Sequence, residues 1–149
     1  MTKGKQGKIA VIRVRGVRNM EPKIKASLNH LKLFRPNHCV LLEDDGYTAG
    51  ALKVVKDYVA YGIIDEETLF KLLHKRGEKG SKFLREVLSE EQLKNAAKEI
   101  LGGKALSEFA DPVLRLHAPR SGYKDIKKQY PRGDLGRHSD INELIKRMM

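Results

Sequence analysis

The stretch KIAVIRVRG, residues 8–16, decides how the rest of this chain of 149 residues folds. In an extended chain its apolar side chains point both ways, with Ile9 and Val11 on one face and Ala10 and Ile12 on the other. A strand that is apolar on both faces is typical of the interior of a sheet. The stretch therefore predicts a strand at a central position.

Two further strands are predicted at HCVLLE, residues 38–43, and PVLRLH, residues 112–117. Apolar residues at helical spacing predict one helix within residues 21–34 and a second within 48–61, which Thr48 is expected to cap. The order β-α-β-α, followed later by β, predicts an α+β fold. We expect a three-stranded sheet with helices mainly on one face.

The stretch between the second predicted helix and the third predicted strand is helical in character. Asp65 opens one helix, and SEEQ at 89–92 has the pattern of a capping box. We therefore divide the chain into a core, residues 1–62 and 112–149, and a helical insertion before the third strand, residues 63–111. Ser139 is predicted to cap a last helix.

Positive charge is confined to two stretches of the chain. Residues 1–38 hold ten Lys/Arg and one acid, residues 39–111 hold eleven and fourteen, and residues 112–138 hold seven and two, within a net charge of +11. Two basic stretches that meet in the fold would form a surface for a polyanion. The segregation favours a nucleic-acid partner.

Other classes of protein fit the sequence poorly. One cysteine excludes a disulfide framework and a thiolate zinc site, and is typical of the reducing cytosol. No apolar run approaches the roughly 20 residues of a membrane-spanning helix, and no signal peptide precedes the first strand. We expect no membrane partner.

Enzyme signatures are weak. His38 and Cys39 are adjacent in a strand and point to opposite faces, so they cannot form a nucleophile and its base. The five histidines lack metal-ligand spacing. We predict no enzyme activity, no cofactor, no metal and no small-molecule substrate. One alternative stays open, an RNA-processing enzyme that holds magnesium with Glu43, Asp44 or Asp45.

The residues expected to bind RNA are mostly cations for phosphate, with Tyr rings for stacking and polar groups at the RPNH junction, residues 35–38. They are Arg13, Arg15, Arg18, Lys32, Arg35, Asn37, His38, Arg115, His117, Arg120, Tyr123, Lys124, Lys127, Lys128, Tyr130, Arg132, Arg137 and His138. Many lie in residues 117–138, here called the late segment, which has little apolar area to offset its own ordering. A charged partner would complete its fold. Charge alone leaves open a second alternative, a DNA-binding chromatin protein.

Five motifs in order resemble the ribosomal protein L-thirty family in its longer archaeal form. They are RPNHC, VKDYV followed by GIID, RLHAPR, GDLG and NELIKRM. The resemblance implies a ferredoxin-like core and a structural role in the large subunit of cytoplasmic ribosomes. It also implies binding to large-subunit ribosomal RNA near the 5S RNA, beside neighbouring ribosomal proteins.

The family's RNA-binding positions carry over to Arg13 and Arg15, residues 35–38, residues 115–120 and residues 133–137. Residues 81–103 depart from the family pattern, so no role is carried over to them.

Overall fold

The computed structural model describes residues 8–16, 18, 20–43, 45–102, 111–123, 127–130, 132–138 and 140–149. In chain order the elements are β1 (Lys8–Arg13), α1 (Pro22–His30), β2 (His38–Glu43), α2 (Gly46–Val55), β3 (Val59–Ile63), α3 (Glu66–Arg76), β4 (Glu78–Lys79), β5 (Lys82–Phe83), α4 (Leu84–Val87), α5 (Glu90–Leu101), β6 (Val113–Arg115), β7 (Gly136–Arg137) and α6 (Ile141–Met148). Lys124, the candidate magnesium ligand Asp44 and the predicted cap Ser139 lie outside the described residues.

Strand β1 is the middle of a five-stranded sheet with the order β6-β2-β1-β3-β7. It runs antiparallel to both neighbours, and Ile12 lies between Cys39 of β2 and Ala60 of β3. All six residues of β1 are buried. The predicted central strand is confirmed, since a strand with two partners and two covered faces must be apolar throughout.

The prediction of only three strands is wrong, because residues 59–63 form β3. Helix α2 begins after Asp45, whose side chain accepts a hydrogen bond from the Thr48 amide at 2.7 Å, and it ends at Val55. The spacing of Leu52, Val55 and Val59 had suggested that the helix continued. The free edge of β1 requires a partner, and β3 supplies it. The helical segment therefore follows the third strand of the core rather than preceding it.

Helices cover both faces of the sheet, not mainly one as predicted. Helices α1 and α2 pack on the face that carries Ile9 and Val11. Helices α3, α5 and α6 share a core with Ala10 and Ile12 on the other face. The reason is that the helices after β3 are amphipathic and bury their apolar stripes against the second face. The α+β class is confirmed, and β1 to β3 with their two helices have the β-α-β-α-β order.

The predicted helix starts at Asp65 and Ser89 are confirmed. Asp65 accepts from the Thr68 amide at 2.8 Å, and Ser89 and Gln92 form the complete capping box. Helix α6 is capped by Asp140, whose side chain accepts from the Asn142 amide at 3.2 Å. Asp140 thus takes the role that the sequence had assigned to the residue before it.

Candidate nucleic-acid interface

A row of cationic side chains crosses one end of the sheet. His38 of β2 lies opposite Arg115 of β6, and continuing the β1–β2 register places Arg13 opposite His38. Directly opposed residues project to the same face. Arg35, in the loop before β2, also acts electrostatically on His38. These four residues, Arg13, Arg35, His38 and Arg115, are called the junction cluster. The sequence showed each cation but not their alignment.

The positive charge of the cluster affects the pKa of His38. Burial and the positive charges of Arg115, Arg35 and Arg13 lower the pKa of this imidazole below its usual value of about 6.5. Its Nδ1 atom is buried and has no hydrogen-bond partner within the described part of the chain. The cluster therefore has surplus positive charge and an unused polar atom.

Arg13 is buried, so the prediction that its side chain contacts RNA directly is corrected. Its side chain is 2% exposed, and burial lowers its pKa. Its Nε donates to the Arg15 carbonyl at 2.9 Å, and its Nη1 donates to the Leu33 carbonyl at 2.8 Å. A covered guanidinium cannot reach a phosphate, so Arg13 holds the loop that follows α1. Arg15 is half-buried and lies over the Tyr58 ring at 4.9 Å.

The end of α1 sets the position of Lys32. The Leu33 amide donates to the Leu28 carbonyl at 2.9 Å and the Lys32 amide to the Asn29 carbonyl at 3.0 Å. These bonds form a Schellman motif with Lys32 in the left-handed region at φ 64°. Leu28 and Leu33 are fully buried and anchor the turn. Lys32 therefore projects into solvent, as Arg35 does three residues later.

Asn37 joins the two basic stretches of the chain. Its backbone N–H donates to the Arg13 carbonyl at 2.7 Å, and its backbone carbonyl accepts from the Leu116 amide at 3.2 Å. Its Oδ1 accepts from the Tyr123 hydroxyl at 2.7 Å. The Tyr123 ring packs against the core, and burial raises its pKa. Tyr123 therefore supports the surface, and the expectation of a free ring for stacking on a base is corrected.

The first part of the late segment is tied to the end of α6. The His117 amide donates to the Met148 carbonyl at 3.2 Å, and the Arg120 amide donates to the Arg147 carbonyl at 3.0 Å. The His117 ring also bonds through Nε2 to the Met149 carbonyl at 2.6 Å. Arg120 itself is exposed.

The last part of the late segment is tied to β3. Strand β7 pairs in parallel with β3, and the His138 amide donates to the Tyr61 carbonyl at 2.8 Å. Leu135 is 1% exposed. The segment therefore buries more than its sequence suggested, because the edge of β3 offers it hydrogen bonds and an apolar site.

The prediction that His138 contacts RNA is also corrected, because this side chain is buried. It is 5% exposed, its Nε2 bonds to the Asp134 carbonyl at 2.6 Å, and its ring lies 4.5 Å from that of Tyr130. Both the Nε2 hydrogen bond and the ring contact are made with groups of the protein itself. His138 and the half-buried Tyr130 therefore stabilise the turn before α6.

The exposed predicted cations fall in two places. They are Arg18, Lys32, Arg35, Arg115, Arg120, Lys127, Lys128, Arg132 and Arg137. Arg115 lies on the edge strand β6, and Arg137 lies on β7 at the opposite edge of the sheet. The late segment connects these edges, so the structure distributes the predicted site over two areas instead of gathering it in one patch.

The acidic residues near β2 have structural partners. Glu43 pairs with Lys8 at 3.2 Å, and Asp45 caps α2, whose Thr48 amide and hydroxyl lower the pKa of the carboxyl. Among the described residues, no group of His, Cys, Asp and Glu is arranged to hold a metal ion. No described helix has the length and apolar character needed to span a membrane.

Comparison with known proteins decides the family. The family model described as ribosomal protein L30p/L7e matches residues 9–59, from β1 to the start of β3. A protein of Archaeoglobus fulgidus, named large ribosomal subunit protein uL30, is 44% identical over 149 residues, which covers 93% of this chain and 98% of that protein. The chain belongs to the ribosomal protein L30p/L7e family.

Two other archaeal relatives support the same assignment. Proteins of the same name from Methanothrix thermoacetophila and Methanococcus maripaludis (strain C5) are 42% and 41% identical over 148 and 151 residues. They match 93% and 94% of this chain and 98% of their own lengths. L30p/L7e membership confirms the resemblance, the ferredoxin-like core and the absence of an enzymatic role. The chain is a structural protein of the large ribosomal subunit.

Proposed function

We propose that the chain binds large-subunit ribosomal RNA, near the 5S RNA and beside neighbouring ribosomal proteins, in the ribosomes of the cytoplasm. The observation that carries this proposal is the junction cluster, in which guanidiniums from two strands and a loop surround His38. Asn37 links the cluster to the late segment through Tyr123. The two basic stretches therefore touch at this bond, and from there the exposed cations extend to the opposite edge of the sheet.

The exposed cations contact RNA phosphates, and the buried members of the predicted site hold them in place. Phosphate contacts fix register and orientation without reading sequence. Arg13, Tyr123 and His138 bond to backbone or side-chain groups inside the protein. Recognition by shape and backbone is suited to folded RNA, whose helices are read mainly by such contacts.

The helices between β3 and β6 face solvent or a protein neighbour in this proposal. The insertion, residues 63–111, holds nine Lys/Arg and ten acids, a net charge of −1, so it offers an RNA backbone no net attraction. We keep the division into a core of residues 1–62 and 112–149 and an insertion of residues 63–111 as part of the proposal. Removing the charges of the exposed Glu91 and Lys98 of α5 should leave RNA affinity unchanged, and a loss of affinity would contradict that division.

The salt dependence of RNA affinity tests the proposal. Each phosphate contact contributes about −0.7 to −0.9 to the slope of log affinity against log salt. Replacing Lys127, Lys128 and Arg132 with Ala should flatten the slope by about 2. The matched control replaces the exposed Lys71, Lys75 and Lys98 of α3 and α5, which lie outside the proposed surface.

The outcomes separate the alternatives. Equal slopes for the two triple variants would contradict the assignment of the late segment. Comparable retention on duplex DNA and on large-subunit RNA would favour a chromatin-type protein. Co-sedimentation with large subunits from a native lysate, followed by crosslinking to 5S RNA, tests the location. Crosslinks that never reach 5S RNA or its neighbours would refute that part.

A further inference from the structure

The junction cluster contains one group whose charge can change near neutral pH. His38 carries a buried Nδ1 that has no partner among the described residues. Three guanidiniums on different elements act on its charge: Arg13 on β1, Arg35 in the preceding loop and Arg115 on β6. Among the described residues, the carboxylate that contacts the cluster is Glu78 of β4, which bonds to Arg115 at 2.9 Å rather than to His38. Three guanidiniums against one carboxylate give the cluster a net positive charge, which attracts an anion.

We infer that the junction cluster is a proton-linked phosphate site, in which an RNA phosphate binds Arg35 and Arg115 and His38 takes up a proton as the phosphate arrives. The inference rests on the proposed RNA-binding function and adds a single site, which makes RNA affinity depend on pH. Arg35 is exposed and can reach an anion without rearrangement.

Arg115 can exchange its partner at little cost. Its side chain is 55% exposed in the ion pair with Glu78, and exposed pairs of this kind contribute little to stability. A phosphate offers the guanidinium two acceptor oxygens at once. Arg115 can therefore turn from the carboxylate to the phosphate.

The linkage follows from charge. In the free protein burial and the guanidiniums of Arg115, Arg35 and Arg13 oppose protonation of His38, so the imidazole is neutral at neutral pH. A phosphate bound to Arg35 and Arg115 offsets those charges, and this raises the pKa of His38. A ligand that raises a pKa binds more tightly as pH falls through the pKa of the complex, and the gain ends below the pKa of the free protein.

The test measures affinity for large-subunit RNA between about pH 8 and pH 6, around the ordinary pKa of histidine. Affinity should rise by up to about tenfold per pH unit, the limit for uptake of one proton. His38→Gln should remove most of that rise. His30→Gln is the control, because His30 is exposed and bonds to Tyr47 of α2, outside the junction cluster.

A second measurement does not need RNA or a variant. The His38 ring is titrated by NMR in the intact protein with sulfate, which keeps its charge across this range, and with chloride at equal ionic strength. Sulfate should move the midpoint upward, and an unchanged midpoint overturns the site. A flat pH profile with a clear preference for ribosomal RNA also overturns the inference and leaves the function intact. No preference for ribosomal RNA at any pH refutes the function instead, and the sulfate titration then decides the site by itself.

Discussion

The Tyr123 hydroxyl donates a hydrogen bond to Asn37 Oδ1 at 2.7 Å across 86 positions of sequence. Asn37 belongs to the first basic stretch and Tyr123 to the second. Asn37 is also held by Arg13 and Leu116 through its backbone, at φ 66°. This bond therefore fixes how the junction cluster sits relative to the late segment.

Tyr123→Phe should lower the free energy of unfolding by about 1 kcal/mol. The ring and its packing remain, but Asn37 Oδ1 loses its donor in a partly buried place, which costs roughly this much. Urea unfolding measures the change. RNA affinity should fall too, because Asn37 and the cations around it are less well fixed.

Tyr47→Phe is the matched control. Tyr47 also uses its hydroxyl, in a bond to His30 at 2.8 Å, but its side chain is 70% exposed. Water replaces that partner, so the change in unfolding free energy should stay within about 0.5 kcal/mol. Equal losses in the two variants would show that the Tyr123 bond has no special role.

The sequence predicts the part of the fold that depends on local pattern. Strand β1 is apolar on both faces and is found at the centre of the sheet. Helix starts at Asp65 and Ser89 follow from capping residues and need no tertiary information. Strand β3 was missed because Val59 also fits the stripe of the preceding helix. Only its pairing with β1, which is not local, decides between helix and strand.

The candidate site shows the same division. Composition and charge segregation identify the cations, and most are exposed as expected. Burial of Arg13 depends on the Leu33 carbonyl, which lies in a turn 20 residues away, and burial of His138 depends on the parallel pairing of β7 with β3. Neither arrangement has a periodic signal in the sequence. Tertiary contacts thus decide which of the predicted side chains are exposed and which are buried.

Lys32→Gly should leave stability unchanged or raise it by about 0.5 kcal/mol while weakening RNA binding. Lys32 is at φ 64°, where an L-residue is strained by roughly 1 kcal/mol, and glycine relieves the strain at some entropic cost. The exposed cation is lost in the same step. Thermal unfolding and RNA affinity measure the two effects.

Lys25→Gly removes the same charge from the interior of α1. It should lower the free energy of unfolding by about 1 kcal/mol, because glycine is a poor helix former. A destabilisation of the same size in Lys32→Gly would contradict the Schellman geometry. Unchanged RNA affinity in Lys32→Gly would remove Lys32 from the interface.

Gly62→Ala should destabilise the chain by about 2 kcal/mol. A Cβ at Gly62 would lie 2.9 Å from Ile141 Cβ and 3.0 Å from the His138 carbonyl. The second contact is to backbone, so α6 and the end of the late segment must shift together. Hydrogen exchange should show faster exchange of the His138 amide, which bonds to the Tyr61 carbonyl.

Gly50→Ala is the control for the same chemical change. Gly50 lies within α2, and nothing is within 4 Å of its added Cβ. This substitution should raise the free energy of unfolding by about 1 kcal/mol, as alanine is the better helix former. Similar effects at the two glycines would show that β3 and α6 are not in close contact.

Stability should fall with acid in a way that His38 in part controls. The pKa of His38 in the folded protein lies below its unfolded value of about 6.5, so the unfolded chain takes up the proton first as pH falls. The stabilisation is present above that value and is lost as pH falls through it towards the folded pKa. Urea unfolding at about pH 7.5 and about pH 5.5 brackets the start of this window. The loss should be smaller in His38→Gln than in the natural sequence, while His30→Gln should retain the full loss. An equal loss in all three proteins would show that the guanidiniums of the junction cluster do not act on His38.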